Sequence, residues 1–172
     1  GNLTKGSRMC GIFGSINTNS LKDTYKGLLR LEYRGYDSFG YAAALKGDKV
    51  DVVKGLGSVD KVAFEKEDAH LCIGHVRWAT NGEVTVENAH PQNFKNFYVV
   101  HNGIVENAPS HMLDTKWLAN VLWLYQGNPK RVYENIEGDN AFVFLNSETG
   151  EVWCVAKGKK RLFMTDNGYV SS

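Results

Sequence analysis

The stretch from Met9 to Gly14 has the sequence MCGIFG, in which Cys10 directly follows a methionine and precedes a short apolar run bounded by glycines. Such a run predicts a buried strand. If Met9 is a start residue and is removed, Cys10 carries both a thiol and a free α-amine. Reference pKa values of about 8.5 for the thiol and about 7.7 to 8.0 for the amine allow the amine to take the thiol proton near neutral pH. The pattern therefore predicts a nucleophile that supplies its own base.

Cys10 and the residues before it also allow other interpretations. An unpaired cysteine is commonly a small buried hydrophobe, here at the start of an edge strand. Residues 1–9 are polar, match no element and resemble a cloning remnant or a propeptide that must be removed. While they remain attached, Cys10 has no free amine, and we expect the chain to be an inactive or precursor form.

The composition argues against several classes of function. A chain of 172 residues with 42% hydrophobic residues can form a sizeable core, and we predict one domain over residues 10–172. Lysine and arginine number 20 against 19 acidic residues, and the one basic cluster, Lys157 to Arg161, is interpreted as a solvated turn. No nucleic-acid or membrane partner is indicated, because no apolar stretch approaches the roughly 20 residues of a membrane span. Without a signal-peptide pattern, we expect a cytoplasmic protein.

The cysteines and histidines show no ligand spacing. Cys10, Cys72 and Cys154 cannot all pair and form no C-x-x-C motif, and the five histidines are scattered. We therefore expect no metal and no other cofactor, with Cys72 and Cys154 packed in apolar strands. Hydrogen-bonded structural roles are predicted for three histidines: His75, His90 and His101.

Hydrophobic periodicity predicts strands in two groups with helices between them. Helices are predicted after Ser20, which with Asp23 resembles a helix-start pair, after Asp114, and from Pro129. After the first apolar run, strands are predicted at 38–45, 50–53, 71–79, 97–105, 141–145, 152–156, 162–165 and 168–171. This order indicates a layered α+β fold, with sheets inside and helices outside.

Two of these strands carry polar side chains that an apolar strand does not need. In the strand at 97–105, His101-Asn102-Gly103 interrupts an apolar run, and such local conflicts tend to mark working sites. In the strand at 71–79, the period of two places His75 and Arg77 on one face.

Five blocks in one order resemble a single family. They are MCGIFG from Met9, LEYRGYDS from Leu31, RWAT from Arg77, NAHP from Asn88 and VHNGI from Val100. In these blocks the chain resembles the class II glutamine amidotransferases, the N-terminal-nucleophile type, and RGYDS and RWAT are most similar to its sugar-aminating branch. The resemblance implies a four-layer αββα sandwich of the N-terminal-nucleophile hydrolase type, abbreviated in its C-terminal half.

The resemblance also implies a reaction. Cys10 would attack the side-chain amide of glutamine to form a thioester, and its α-amine would pass the proton to the departing ammonia. The oxyanion would be held by the Asn102 side-chain amide and the Gly103 backbone N–H, where glycine lets the backbone approach closely. Ammonia would then pass to an acceptor synthase.

Further positions match residues of the family that hold or support glutamine. Arg77 would bind the α-carboxylate with its planar fork, and Asp114 would bind the α-ammonium. Trp78 and Thr80 would line the same pocket, and Arg34 would brace the loops around the nucleophile. Asp114 has a competing interpretation as a helix N-cap, and one residue could serve both purposes.

The chain departs from the family at two places. Asn81 stands where the sugar-aminating branch has a histidine, and only 108–113 separate the HNG block from Asp114, where the family has an insertion. No acceptor module follows in the sequence, so we expect docking onto a separate synthase or an origin as a piece of a larger enzyme. Two alternatives remain: a non-catalytic glutamine-binding or scaffold subunit, and an N-terminal-nucleophile hydrolase that acts on another amide.

Overall fold

Each predicted helix and strand is present, in the predicted order along the chain. The computed structural model describes residues 10–45, 49–66, 69–79 and 82–172. The strands are β1 (Gly11–Ser15), β2 (Ser38–Ala44), β3 (Val50–Leu56), β4 (Leu71–Arg77), β5 (Gln92–Phe94), β6 (Phe97–Gly103), β7 (Asn140–Asn146), β8 (Glu151–Lys157), β9 (Phe163–Met164) and β10 (Tyr169–Ser171). The helices are α1 (Ser20–Leu31), α2 (Asp114–Leu124) and α3 (Pro129–Asn135), with 3-10 turns at Glu32–Arg34 and Lys61–Phe64.

These strands form two antiparallel sheets. The first has the order β3-β2-β4-β1-β10-β9, and the second has the order β5-β6-β7-β8. In the first sheet, β4 lies between β1 and β2, with Val76 opposite Gly11 and Arg77 opposite Ser38. The end of β4 therefore lies beside the beginnings of β1 and β2, so that residues distant in sequence converge there.

Three hydrophobic clusters separate four layers. One packs α1 against the first sheet, and another packs α2 and α3 against the second. Between the sheets lies a third cluster, which contains Ile12, Ala42, Leu71, Ile73, Val100, Val143, Leu145 and Val170. The predicted α+β sandwich with αββα layers is thus confirmed. Within the described part of the chain, none of the helices is long and apolar enough to cross a membrane.

Side chains alternate between faces along β4 and β6. On β4, Leu71 and Ile73 face the second sheet, whereas Cys72 packs toward α1. On β6, Val100 faces the first sheet and Val99 packs under α2. Continuing the period of two brings His75 and Arg77 of one strand, and Asn102 of the other, onto the faces between the sheets.

Two details differ from the sequence prediction. Strand β5 was not predicted, because Gln-Asn-Phe is short and polar, and it forms by pairing with β6. The predicted role of Ser20 and Asp23 as a helix-start pair is wrong, because neither side chain caps α1. Ser20 Oγ donates to Ala69 O, and the Asp23 carboxylate accepts from Ser15 Oγ. These polar groups bind across the fold instead of capping α1. Gly47-Asp48, which predict a hairpin turn between β2 and β3, lie outside the described residues.

Candidate active site

The Cys10 thiol lies against the backbone that follows β4. Its Sγ accepts a hydrogen bond from Trp78 N at 3.3 Å and donates to Trp78 O at 3.4 Å. The residue is half-buried. Burial raises the pKa of the Cys10 thiol, while the Trp78 N–H and the positive charges of Arg77 and Lys160 act in the opposite direction. Trp78 therefore contacts the thiol through its backbone N–H and carbonyl group.

The loop that carries Trp78 is held by the RGYDS block. Asp37 N donates to Arg77 O at 3.0 Å, and its carboxylate Oδ2 accepts from Ala79 N at 2.9 Å. A side chain at Gly35 would place its Cβ 2.8 Å from Trp78 N, so the close approach needs glycine. Sequence reasoning missed Asp37, although a carboxylate just before β2, in a block shared with the family, was a usable signal.

Arg34 supports β1, the strand that begins just after Cys10, indirectly. Its Nη1 donates to Ser172 Oγ at 3.0 Å. Ser172 Oγ accepts from Ile12 N at 2.9 Å, and Ser172 N donates to Ile12 O at 3.0 Å. Arg34 thus holds the segment that pairs with β1 two residues beyond Cys10, and its predicted bracing role stays a prediction.

Asn102 and Gly103 lie at the end of β6, across the sheet interface from the end of β4. His75 Nε2 lies 2.9 Å from His101 O and 3.2 Å from Asn102 Oδ1, so the two strands are joined at this point. Gly103 has a φ of +113°, and a Cβ there would collide with the Asp139 carbonyl oxygen. Only glycine fits that conformation without strain.

Arg77 and Asp114 are buried side chains of opposite charge. Arg77 is 4% exposed and donates from Nη1 to Glu83 O at 3.0 Å. Asp114 is 6% exposed, and its Oδ2 accepts from Val105 N at 2.9 Å. Burial lowers the pKa of the Arg77 guanidinium, and the negative charges of Cys10, Asp114 and Asp37 oppose that change.

The structure excludes one of the two predicted roles of Asp114, that of helix N-cap. Helix α2 begins at Asp114 itself, its N-cap is Leu113, and no side-chain cap hydrogen bond forms. The N-cap interpretation is therefore wrong, because the carboxylate binds the Val105 N–H outside the helix. Thr80 and Asn81 lie outside the described residues.

Three histidines form a buried hydrogen-bonded group beside these residues. His101 Nε2 lies 2.7 Å from Asn140 Oδ1, and its Nδ1 lies 2.9 Å from Thr115 Oγ1. His90 Nδ1 accepts from His101 N at 3.2 Å. Burial lowers the pKa of all three rings, that of His75 to about 3, which keeps them neutral. The hydrogen-bonded roles predicted for them are observed.

Sequence comparison finds relatives that are longer than this chain. No protein-family model matches the chain. Glutamine-fructose-6-phosphate aminotransferase (isomerizing) of Streptococcus pyogenes serotype M6 is 34% identical in an alignment 183 positions long. The alignment covers 91% of this chain and 30% of that protein. The enzyme of the same name from Listeria innocua serovar 6a is 42% identical over 135 residues, 75% of this chain and 22% of that protein. The chain thus spans less than a third of the length of these relatives.

Structural comparison finds solved enzymes with the same fold. Glutamine phosphoribosylpyrophosphate amidotransferase from B. subtilis, complexed with ADP and GMP, matches with a TM-score of 0.74 and 25% identity, covering 94% of this chain and 41% of that chain. A structure of the allosteric regulatory enzyme of purine biosynthesis matches with a TM-score of 0.76 and 26% identity over the same shares. The chain is a class II glutamine amidotransferase domain. The resemblance seen in the five sequence blocks is confirmed.

Sequence reasoning also missed one charged residue in the surroundings of Cys10 in this amidotransferase domain. Lys160 belongs to the basic cluster interpreted as a solvated turn, yet its charge acts on both the Cys10 thiol and the His101 ring. The preceding residue is anchored, since Lys159 N donates to Asp139 Oδ1 at 2.9 Å. The described residues contain no group of three or more His, Cys, Asp or Glu side chains placed to hold a metal.

Proposed function

We propose that this domain, once its chain begins at Cys10, hydrolyses the side-chain amide of glutamine to glutamate and ammonia. One observation carries the proposal. The Cys10 thiol lies against Trp78 at the end of β4, where His75 joins the same strand to Asn102. A thiol and an oxyanion donor are therefore held on neighbouring elements, as acyl transfer through a thioester requires.

The reaction would proceed in two balanced steps. Cys10 Sγ attacks the amide carbon while its α-amine takes the thiol proton, and the oxyanion accepts hydrogen bonds from the Asn102 side chain and Gly103 N–H. Collapse breaks the carbon–nitrogen bond, and the ammonium group of Cys10 returns the proton to the leaving ammonia. Water, deprotonated by the same amine, then hydrolyses the glutamyl thioester and restores the thiol.

Substrate selection would depend on two buried charges. Arg77 binds the α-carboxylate of L-glutamine and Asp114 binds its α-ammonium, because a specific site for an amino acid needs one cation and one anion. Trp78 and Thr80 line the pocket, and Arg34 supports it. The support is the burial of Arg77 and Asp114 within each other's electrostatic reach.

Residues 1–9 would keep the domain inactive, as a tag or propeptide-like extension. A peptide nitrogen at Cys10 cannot accept a proton, so the full chain has no base for the thiol. The three hydrophobic clusters of the described residues are formed by side chains within 10–172, so a chain trimmed to Cys10 keeps all of their members. Trimming therefore frees the α-amine of Cys10 and leaves the residues of these clusters in place.

The acceptor of ammonia would be a synthase, either a separate subunit or a C-terminal domain. The support is that the relatives are aminotransferases more than three times as long as the matched region. We also place the protein in the cytoplasm without nucleic-acid or membrane partners. The support is that its three cysteines are free, as is typical of proteins in a reducing compartment.

Release of glutamate from glutamine by the trimmed chain tests the proposal. We expect turnover that is lost in Cys10→Ala and absent from the full chain, with asparagine a poor substrate. Turnover no greater than that of Cys10→Ala would contradict it. If calorimetry then detected glutamine binding, the non-catalytic subunit would be favoured. Preferential turnover of asparagine or an acyl amide would instead favour a hydrolase of another amide.

A further inference from the structure

The contact between His75 and Asn102 determines which end of the Asn102 amide faces the site. An asparagine amide has an oxygen that accepts and a nitrogen that donates, and the two ends have nearly the same shape. Only the nitrogen can stabilise an oxyanion, whereas the oxygen would repel it. Something in the structure must therefore select one of the two orientations.

The hydrogen bonds of His75 make that selection. Nε2 lies 2.9 Å from the carbonyl oxygen of His101, which can only accept, so Nε2 must carry a proton. Because burial lowers the pKa of His75 to about 3, the neutral ring has no second proton and Nδ1 is bare. The Asn102 atom 3.2 Å from the same Nε2–H must then be the amide oxygen.

The ring itself has little freedom to change this arrangement. His75 is fully buried, and its ring stacks on that of His90 with centroids 4.0 Å apart and planes 25° apart. Its strand is paired on both sides, with Ile12 and Gly40 opposite His75. Nδ1 is buried without a partner, which suits a bare nitrogen better than an N–H.

With its oxygen held by His75, Asn102 directs its Nδ2 away from that ring. Among the described residues none accepts a hydrogen bond from this nitrogen. We propose that His75 is a positioning residue that fixes the Asn102 amide with its nitrogen available to the oxyanion. This inference rests on the proposed function, and it assigns to a structural histidine a part in lowering the reaction barrier.

Two substitutions of His75 separate positioning from packing. In His75→Gln, the amide nitrogen reaches about as far along the side chain as Nε2 and can donate to Asn102 Oδ1. In His75→Met, similar volume is kept but no donor remains. Ile73→Val, two residues earlier on the same face of β4, controls for general loosening of the sheet interface.

The kinetic test uses the trimmed chain. We expect His75→Met to lower kcat by about tenfold to hundredfold with KM for glutamine unchanged, because the oxyanion exists only after attack. Binding of an aldehyde analogue of glutamine, which forms a tetrahedral adduct with the thiol, should weaken in parallel, while glutamate binding should not. His75→Gln should recover most of the loss. Equal losses in both variants, or a change confined to KM, would overturn the proposal.

A second measurement does not depend on turnover. In ¹⁵N NMR spectra of the full chain, we expect the His75 proton on Nε2 and the Asn102 side-chain amide in a single orientation. In His75→Met, the Asn102 amide should no longer be restricted to that orientation. A proton on Nδ1, or an Asn102 amide unaffected by His75→Met, would overturn the assignment. If the trimmed chain showed no glutamine hydrolysis while these spectra were as expected, the proposed function would fail and the orienting contact would stand.

Discussion

The space between the two sheets has an apolar end and a polar end, built from the same strands. At the apolar end, Leu71 and Ile73 of β4 pack against Val143 and Leu145 of β7. Two to four residues farther along β4, the same face carries His75 and Arg77, which are equally buried. One alternation of side chains therefore serves both packing and chemistry.

The difference between the ends lies in how burial is compensated. At the apolar end, removal of hydrocarbon from water stabilises the fold directly. At the polar end, burial is unfavourable unless each group is hydrogen-bonded. His101 and Asn102 have such partners in Asn140 and His75. We infer that the apolar end sets stability and that the polar end sets activity, and substitutions can separate the two.

The largest effect is expected at the apolar end. Ile73→Ala should lower the free energy of unfolding by about 2 to 5 kcal/mol, because the Ile73 side chain is only 1% exposed and its removal leaves a cavity between the sheets. The kcat of the folded fraction of the trimmed chain should not change. Urea denaturation and glutamate release measure the two quantities. A loss of kcat as large as that of Asn102→Ala would break the distinction between the ends.

At the polar end, Asn102→Ala should lower kcat by about 10² to 10³, the typical effect of removing one oxyanion donor. Stability should change little, because His75 Nε2 keeps His101 O as an acceptor. Asn93→Ala, at an exposed position of β5, is the matched control. Unchanged kcat in Asn102→Ala would remove this residue from the mechanism.

A smaller effect is expected from Asp114→Asn, which removes the charge but can keep the hydrogen bond from Val105 N. Loss of a hydrogen bond to a charged group costs about 1.5 to 3 kcal/mol, so KM for glutamine should rise by about tenfold to a hundredfold. The exposed Asp166→Asn is the control. Initial rates across glutamine concentrations measure the change, and an unaltered KM would exclude the ammonium-binding role.

The smallest effect concerns the three thiols in the full chain. Burial raises the pKa of Cys10, so its rate of alkylation by iodoacetamide should be low at neutral pH and should keep rising with pH beyond the usual range of a thiol. Burial raises the pKa of Cys154 to about 11 and of Cys72 to about 12, so these should react more slowly. Peptide mass mapping measures each site. A plateau for Cys10 below the ordinary thiol pKa would contradict the assigned environment.

The sequence predicted what is local and could not predict what depends on packing across the fold. Contiguous blocks and periodicity were enough for the sandwich and for the placement of Arg77 and Asn102 on two strands, although both strands end about two residues earlier than predicted. The orienting role of His75 depends on a contact between two sheets, and that of Asp37 depends on a loop pairing with the end of β4. Asp114 resembled a helix cap because it stands at the start of an apolar helical run. Its actual partner, Val105 N, lies outside the helix and could not be predicted from that pattern.

Detection of the covalent intermediate tests the central claim most directly. The trimmed chain would be mixed with glutamine, quenched in acid during turnover, digested and mapped by mass spectrometry. We predict a glutamyl thioester on the peptide that contains Cys10, absent from the full chain and from Cys10→Ala. Glutamate release without this adduct, or with a glutamyl group on Cys72 or Cys154, would contradict the account.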